Sequence, residues 1–284
     1  MNYCINVPQT VLKKADRIIV IGDIHGDYKA LIKILYYAKI IDKRKQWIAF
    51  NTHVVQLGDI LDRGGRIYNY GDEQSEYKIL KLLFKLMKYS KRYNSGLHII
   101  LGNHEIMNVM GDFSYVSPLG MQDFNNNRYN MLKPGGTIAK QLACNTNSIL
   151  KIGNWLFSHA GVLPSIAEKY KNIEEVNSII RNFLLGNTEL HNDNDIFNLF
   201  THRKYGQTVK CSNVKKALDL YDSKYQVVGH TIQKNGINAV CDDSLYRIDV
   251  GLSNAFGIKR RLEFLEILND TEVIRHKIHY KLNS

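Results

Sequence analysis

The chain has 284 residues, 44% of them hydrophobic, which is ordinary for a globular protein with a sizeable core. No stretch approaches the roughly 18 apolar residues of a membrane-spanning helix, and the N-terminus lacks the long apolar region of a secretory signal, so we expect a cytoplasmic or nuclear protein without a membrane partner. The net charge of +11 favours anionic partners in general. Lysine is plentiful together with asparagine, isoleucine and tyrosine, a bias that an AT-rich genome could produce without selection for nucleic acid, so we do not expect nucleic-acid binding.

Strand-like and helical patterns alternate along the first part of the chain. Arg17 to Ile21, Thr52 to Leu57 and Leu97 to Leu101 are short apolar runs typical of buried strands. Between them, Tyr28 to Ile40 and Glu73 to Tyr93 place apolar residues at the spacing of amphipathic helices. This alternation predicts a parallel arrangement of strands in the first half.

A polar excursion from about residue 121 to 146 interrupts this alternation. We expect it to carry a helix or to cover a site, and it is our candidate for the segment that selects the substrate. The later part of the chain is rich in strands. Predicted strands there are Trp155 to Ser158, Gln226 to Val228, Ile237 to Cys241, Leu245 to Val250, Arg261 to Ile267 and Glu272 to Ile278; predicted helices are Ile173 to Leu185 and Asn213 to Tyr221.

Five of the predicted strands each run into side chains that can bind a metal ion. Because the ends of adjacent strands are where α/β sheets place their sites, we expect these side chains to gather. The candidate ligands are Asp23 and His25, then Asp59, Asn103, His159 and His230. A site that draws on residues 23 to 230 cannot be divided, so we predict a single domain over residues 1–284, with a core at about 17–268.

The donor set predicts two metal ions that share Asp59. About three protein ligands, Asp23, His25 and Asp59, would hold one ion, and about four would hold the other, leaving positions open for water. The second set consists of Asp59, Asn103, His159 and His230. Imidazole, carboxylate and amide oxygen together suit Mn, Fe or Zn rather than Ca or Mg.

Three motifs carry a family resemblance: GDIHGD from Gly22, GDILDRG from Gly58 and GNHE from Gly102. With His159 and His230 following in order, the chain resembles the phosphoprotein phosphatase family of calcineurin-like metallophosphoesterases. It is most similar to the Shewanella-like protein phosphatases in the stretches GNHEIMNVMGDFSYV, LFTHRKYG and RIDVGLSNAFG. The resemblance covers roughly residues 17 to 268 and implies an α/β four-layer sandwich of two mixed β-sheets packed face to face and flanked by helices.

The resemblance also implies roles for individual residues. It makes His104 the general acid and Asp62 the carboxylate that orients it. Arg63 and Arg203, with Asn103, match the groups that bind the substrate phosphate. The implied reaction is hydrolysis of phosphoserine, phosphothreonine or phosphotyrosine in a protein or peptide by direct attack of a metal-bridging hydroxide.

Two departures from the family pattern are mild. An insertion-like segment runs from Gly65 to Asp72, and Phe200 stands where relatives often carry tryptophan. Neither departure alters a candidate ligand.

Two other functions remain open. Dinucleoside polyphosphate hydrolases, such as those acting on diadenosine tetraphosphate, share most of these motifs but usually carry Asn-His-Asp where this chain has Asn103, His104 and Glu105. A catalytically inactive scaffold is the third possibility, and the complete set of ligand positions argues against it.

Four cysteines, Cys4, Cys144, Cys211 and Cys241, are widely spaced and form no C-x-x-C pair. This spacing indicates neither a zinc cluster nor a disulfide framework. We therefore expect reduced, buried thiols.

Overall fold

The computed structural model describes residues 4, 7–64, 71–190, 193–257 and 261–278. The strands described are β1 (Val11–Leu12), β2 (Arg17–Ile21), β3 (Thr52–Gln56), β4 (Gly96–Ile100), β5 (Thr146–Asn147), β6 (Ile149–Ile152), β7 (Trp155–Ser158), β8 (Tyr225–Val228), β9 (Asn238–Val240), β10 (Leu245–Arg247), β11 (Leu262–Leu268) and β12 (Glu272–Ile278). The helices are α1 (Tyr28–Tyr37), α2 (Glu76–Ser90), α3 (Asn103–Val109), α4 (Pro118–Asn126), α5 (Arg128–Leu132), α6 (Thr137–Asn145), α7 (Pro164–Lys169), α8 (Ile173–Leu185), α9 (Asn194–Thr201) and α10 (Cys211–Leu220). Within these ranges, no helix combines the length and the apolar character needed to cross a bilayer.

The strands form two mixed sheets of six strands each. One has the order β1-β6-β7-β8-β10-β9, and the other has the order β12-β11-β2-β3-β4-β5. Buried apolar side chains from both sheets and from the surrounding helices belong to one continuous core. The predicted α/β class with two mixed sheets and flanking helices is confirmed.

Strands β2, β3, β4 and β5 run parallel, as the alternating pattern predicted. Their carboxyl ends therefore lie along one edge of the sheet, where ligand sites form in α/β folds. Asp23 and His25 follow β2, Asp59 follows β3, and Asn103 begins α3 just after β4. The second sheet supplies His159 after β7 and His230 after β8.

The polar excursion is helical and forms part of the folded body. It contains most of α4 and all of α5 and α6, and α6 packs against α8. Phe124 and Leu132 are fully buried, which explains why so polar a segment folds. Of the insertion-like segment, Gly65 to Tyr70 lie outside the described residues.

The expectation of reduced cysteines is wrong, because the structure pairs all four of them. Cys4 bonds to Cys144 across 140 positions, and Cys211 bonds to Cys241 across 30 positions. Such separations leave no short-range signal in the sequence; only the fold brings the start of α10 next to the residue after β9. Disulfides persist mainly in oxidising compartments, so the pairing does not support a cytoplasmic or nuclear location, which stays a prediction.

One buried carboxylate joins the loops that follow β3 and β4. Glu105, on α3, is fully buried and accepts backbone N–H bonds from Asp59 at 2.9 Å, Ile60 at 2.9 Å, Leu61 at 3.0 Å and Gly102 at 2.8 Å. Four donors on one carboxylate fix the path of both loops. Aspartate is one methylene shorter, so it would not place both oxygens on these donors from the same backbone.

We expect Glu105→Gln to lower stability by roughly 2–4 kcal/mol, because an amide N–H₂ would face backbone donors that need an acceptor. The measurement is the thermal midpoint of unfolding, with Glu175→Gln, an exposed change on α8, as the matched control. Equal midpoints for the two variants would show that Glu105 does not hold the loops together.

Candidate metal centre

Three imidazoles surround the carboxylate of Asp59. The distances from Asp59 Oδ2 are 3.3 Å to His159 Nε2, 3.6 Å to His25 Nε2 and 3.9 Å to His104 Nε2. Two sets of ligand atoms each lie within 4.8 Å of one another: His25, Asp59 and His104, and Asp59, His159 and His230. Asp59 is common to both sets, as a residue that bridges two ions would be.

The three histidines predicted as ligands each have one ring nitrogen held by the backbone. His25 Nδ1 lies 3.1 Å from the carbonyl oxygen of Leu61, and His159 Nδ1 lies 2.7 Å from that of Leu57. His230 Nε2 lies 3.0 Å from the carbonyl oxygen of Thr201. A backbone acceptor orients the N–H on that nitrogen, so the other ring nitrogen is the one that could bind a metal ion, as in metal-binding histidines.

Asn103 and Asp23 complete the predicted set in different ways. Asn103 Oδ1 lies 3.1 Å from His159 Nε2, so the amide oxygen points into the cluster. The carboxylate of Asp23 accepts the backbone N–H of His230, at 3.0 Å from Oδ2. The first of the two sets of ligand atoms contains His104 where the sequence predicted Asp23. The assignment of Asp23 as a ligand stays a prediction.

The electrostatics of the cluster favour a bound cation. Burial and the neighbouring Asp249 raise the pKa of Asp23 well above its ordinary value, and burial raises the pKa of Asp249 to about 6. Burial opposes ionisation of Asp59 as well, but His159 and the other imidazoles outweigh it and hold its pKa well below the usual range. Three buried carboxylates crowded together need positive charge, which metal ions can supply.

The histidines respond to the same charges. Burial disfavours a proton on His159, but Asp59 and Asp23 prevail and raise the pKa of its imidazole to about 10. Burial lowers the pKa of His230 to about 3, so this ring is neutral and able to donate a lone pair. The residues present therefore fit a metal site in donor type, orientation and charge.

Four residues of the site have backbones in the left-handed region. The φ angles are +42° at His25, +50° at Asp59, +67° at Asp62 and +64° at His230. Such conformations cost roughly 1–3 kcal/mol each and persist where the surroundings over-determine them. Here, the Glu105 carboxylate provides much of that restraint for the loop after β3.

His104 and Asp62 form a buried pair beside Asp59. His104 Nδ1 lies 2.8 Å from Asp62 Oδ2, and the two residues are 7% and 0% exposed. The ring of Tyr115, 41% exposed, meets His104 edge to face at 5.1 Å between centroids. The opposite nitrogen of His104 is thus directed towards the carboxylate of Asp59.

The two predicted arginines occupy different environments. Arg203 is exposed, and its guanidinium donates to the carbonyl oxygen of His230 at 3.0 Å, which holds it at the rim of the site. Arg63 is 1% exposed and donates to Ser253 Oγ at 3.1 Å and to the carbonyl oxygen of Gly71 at 3.0 Å. The clamping role of Arg63 stays a prediction, and these contacts give its guanidinium a structural function.

Three residues that contact Asp62 or its neighbours were not predicted from the sequence. Asn108 Nδ2 donates to Asp62 Oδ1 at 2.7 Å, and Arg128 Nη2 donates to the same oxygen at 2.9 Å. Glu76 forms an ion pair with Arg128 at 2.7 Å. Asn108 lies one helical turn after His104 and could have been inferred from that spacing, but Arg128 follows Asp62 by 66 positions and carries no such signal.

Comparison with solved structures supports this fold. A cold-active protein-tyrosine phosphatase of a psychrophilic Shewanella superposes with a TM-score of 0.77 at 23% identity, over 95% of this chain and 80% of that chain. A protein serine/threonine phosphatase from Saccharomyces cerevisiae gives a TM-score of 0.63 at 13% identity, over 97% of this chain and 85% of that chain. At such identities the likeness concerns the fold alone.

Comparison of sequences is more specific. The calcineurin-like phosphoesterase model matches residues 16–273. Shewanella-like protein phosphatase 2 of Arabidopsis thaliana is 30% identical, over 93% of this chain and 78% of that protein. Shewanella-like protein phosphatase 1 of Plasmodium berghei is 34% identical, over 85% of this chain and 68% of that protein. The chain therefore belongs to the calcineurin-like phosphoesterases, a family of hydrolases, and its relatives there include Shewanella-like protein phosphatases.

Proposed function

We propose that this protein is a two-metal phosphoprotein phosphatase that hydrolyses phosphomonoesters of serine, threonine or tyrosine. The observation that carries the proposal is the arrangement of anchored imidazoles around Asp59, with the His104–Asp62 pair directly beside it. The names of the relatives support a phosphorylated protein or peptide as the substrate.

Two sets of side chains would hold the metal ions. Asp23, His25 and Asp59 would hold one ion, and Asp59, Asn103, His159 and His230 would hold the other. Bound there, Mn, Fe or Zn ions would supply a nucleophile at neutral pH and positive charge for the phosphate oxygens. The backbone bonds of the histidines keep their rings in the orientation that binding requires.

His104 would donate the proton to the leaving oxygen. Asp62 accepts from its Nδ1, which leaves Nε2 facing the site. The Asp62 carboxylate, 2.8 Å from Nδ1, would favour the protonated imidazole, because an opposite charge at hydrogen-bond distance stabilises the charged form. Arg203 would bind a phosphate oxygen at the exposed side, since its guanidinium is held at the rim by the backbone of His230.

A panel of phosphoserine, phosphothreonine and phosphotyrosine peptides, assayed beside diadenosine tetraphosphate, tests the substrate class. Efficient hydrolysis of at least one peptide class is expected. Preference for diadenosine tetraphosphate over every peptide would show that the protein is a dinucleoside polyphosphate hydrolase instead. Inactivity of the metal-loaded protein on every substrate of the panel would favour a catalytically inactive scaffold.

Asp59→Asn is expected to lower metal occupancy at both positions, whereas His230→Ala should affect mainly one, because only Asp59 is common to the two ligand sets. Elemental analysis of the purified variants measures this. His276→Ala, a change on β12 at the edge of the sheet that also contains β2 and β3, is the matched control and should retain the full metal content. Two tightly held ions in Asp59→Asn would contradict the shared ligand.

His104→Asn should slow hydrolysis of a phosphoserine peptide by about 10²- to 10⁴-fold, because the serine alkoxide is a poor leaving group without a proton. An aryl phosphate such as p-nitrophenyl phosphate, whose phenolate departs readily, should lose far less. The two substrates are compared at unchanged metal content. Equal losses on both would remove His104 from the role of acid.

Arg203→Ala should reduce kcat/KM by the worth of a charged hydrogen bond, about 1.5–3 kcal/mol or roughly ten- to a hundredfold, and should weaken inhibition by free phosphate. Lys204→Ala, next in the chain and also exposed, is the control for a general loss of positive charge. If both variants behave alike, Arg203 is an ordinary surface residue.

A further inference from the structure

The Arg128 side chain, on α5, is buried and makes four polar contacts within the protein. It is 2% exposed. Its Nε donates to Asn108 Oδ1 at 2.7 Å, its Nη1 donates to the carbonyl oxygen of Gly120 at 3.0 Å, and its Nη2 donates to Asp62 Oδ1 at 2.9 Å. The fourth contact is the ion pair between Nη1 and Glu76 at 2.7 Å. A charge buried this deeply is tolerated only when its partners are complete.

The guanidinium is also held from one face. Its central carbon lies 5.0 Å from the centre of the Phe124 ring, and that ring stacks on Tyr77 of α2. The backbone at Phe124 has φ of +57°, so the chain turns sharply there and folds back to bring Arg128 inwards. The polar excursion thus places the guanidinium of Arg128 against Asp62, which in turn contacts His104.

The effect of these contacts on Asp62 is to restrain both of its carboxylate oxygens. Oδ1 accepts from Arg128 and Asn108, and Oδ2 lies against His104. Asn108 in turn accepts from Arg128 Nε, so the three side chains close a ring of hydrogen bonds. With both oxygens restrained, the carboxylate cannot rotate about its Cβ–Cγ bond, and the direction in which it holds the imidazole is determined.

Arginine suits this position for a geometric reason. Its planar guanidinium presents several N–H donors in fixed directions, so one side chain can hydrogen-bond Asp62 and Asn108 while it forms an ion pair with Glu76. The ammonium of lysine is a single point and would not reach all three acceptors. The contacts therefore need the shape of the guanidinium as well as its charge.

We propose that Arg128 is a positioning residue for proton donation, acting through Asp62 to hold His104 in the orientation that protonates the leaving oxygen. The proposal rests on the proposed function, in which His104 is the general acid. Arg128 touches neither the metal ligands nor the substrate in this scheme. Its loss should therefore affect the step that needs a proton and spare metal binding.

The test measures kcat/KM for a phosphoserine peptide and for p-nitrophenyl phosphate, and takes the ratio of the two values. Arg128→Met is expected to lower this ratio by about 10- to 100-fold, because a misplaced acid penalises only the poor leaving group. Metal content should stay unchanged. Arg128→Lys, which keeps the buried charge, should fall between wild type and Arg128→Met, and it serves as the second variant if Arg128→Met does not fold.

The matched control is Arg181 on α8. It is also buried, at 8% exposed, pairs with Glu174 at 3.0 Å and donates to the carbonyl oxygen of Ala143 at 3.2 Å. Arg181→Met removes a buried, paired arginine away from the site, so it should lower the thermal midpoint without changing the substrate ratio. Equal ratio changes in the Arg128 and Arg181 variants would mean that Arg128 is merely structural and would overturn the proposal.

A double-mutant cycle tests whether Arg128 acts through Asp62. In an Asp62→Asn background, adding Arg128→Met should change the substrate ratio by less than about threefold, because the connection is already broken. If Arg128→Met lowers the substrate ratio by the same factor in the Asp62→Asn background as in the wild type, the proposal is overturned. If His104→Asn lowers the ratio while Arg128→Met does not, the inference fails alone; if His104→Asn leaves the ratio unchanged, the general acid fails and the positioning role fails with it.

Discussion

The geometry of the site depends on the hydrogen bonds that backbone N–H groups donate to the carboxylate of Glu105. This carboxylate accepts four backbone N–H bonds and so ties the loop after β3 to the loop after β4. Asp59 and Asp62 lie on the first of these loops in left-handed backbone conformations that would relax without such restraint. The third residue of the Asn-His-Glu motif therefore contributes by shaping the backbone, while the first two contribute side chains to the site.

Around this framework the protein concentrates buried negative charge. Asp23, Asp59 and Asp249 lie close enough to influence one another's ionisation. Asp62 and Glu76 lie nearby and share contacts with the guanidinium of Arg128. Buried carboxylates are costly unless cations compensate them, so the site is built to receive positive charge from metal ions, from a proton on His104, or from both.

Remote segments reach the site through a few specific contacts. The excursion that the sequence marked as polar contributes Arg128, and the loop before α10 contributes Arg203. That second loop ends at Cys211, which is bonded to Cys241 next to β9 and so attaches it to the β9–β10 hairpin. Neither segment is adjacent in sequence to a predicted metal ligand. In space, however, Arg203 contacts the backbone oxygen of His230.

The sequence by itself determined the class of the fold, and it predicted a set of candidate metal ligands that the fold brings close together. Apolar runs and helical patterns located β2 and α8 to the residue, but the predicted C-terminal ends lie beyond those of β3 and α1: Leu57 against Gln56, and Ile40 against Tyr37. Local hydrophobic patterning reflects which face of an element is buried, and it is less informative about where the element ends. The motifs at the ends of β2, β3 and β4 predicted candidate ligands, because the carboxyl ends of neighbouring parallel strands lie along one edge of the sheet.

What the tertiary structure alone decided are contacts between residues far apart in the chain. The pairing of Cys4 with Cys144 and of Cys211 with Cys241, the burial of Arg63, and the reach of Arg128 to Asp62 leave no periodic or spacing signal. An arginine or a cysteine looks the same in sequence whether it is exposed or buried. Its partners are fixed only when packing of the two sheets and their helices sets which distant side chains meet, and in which direction each one points.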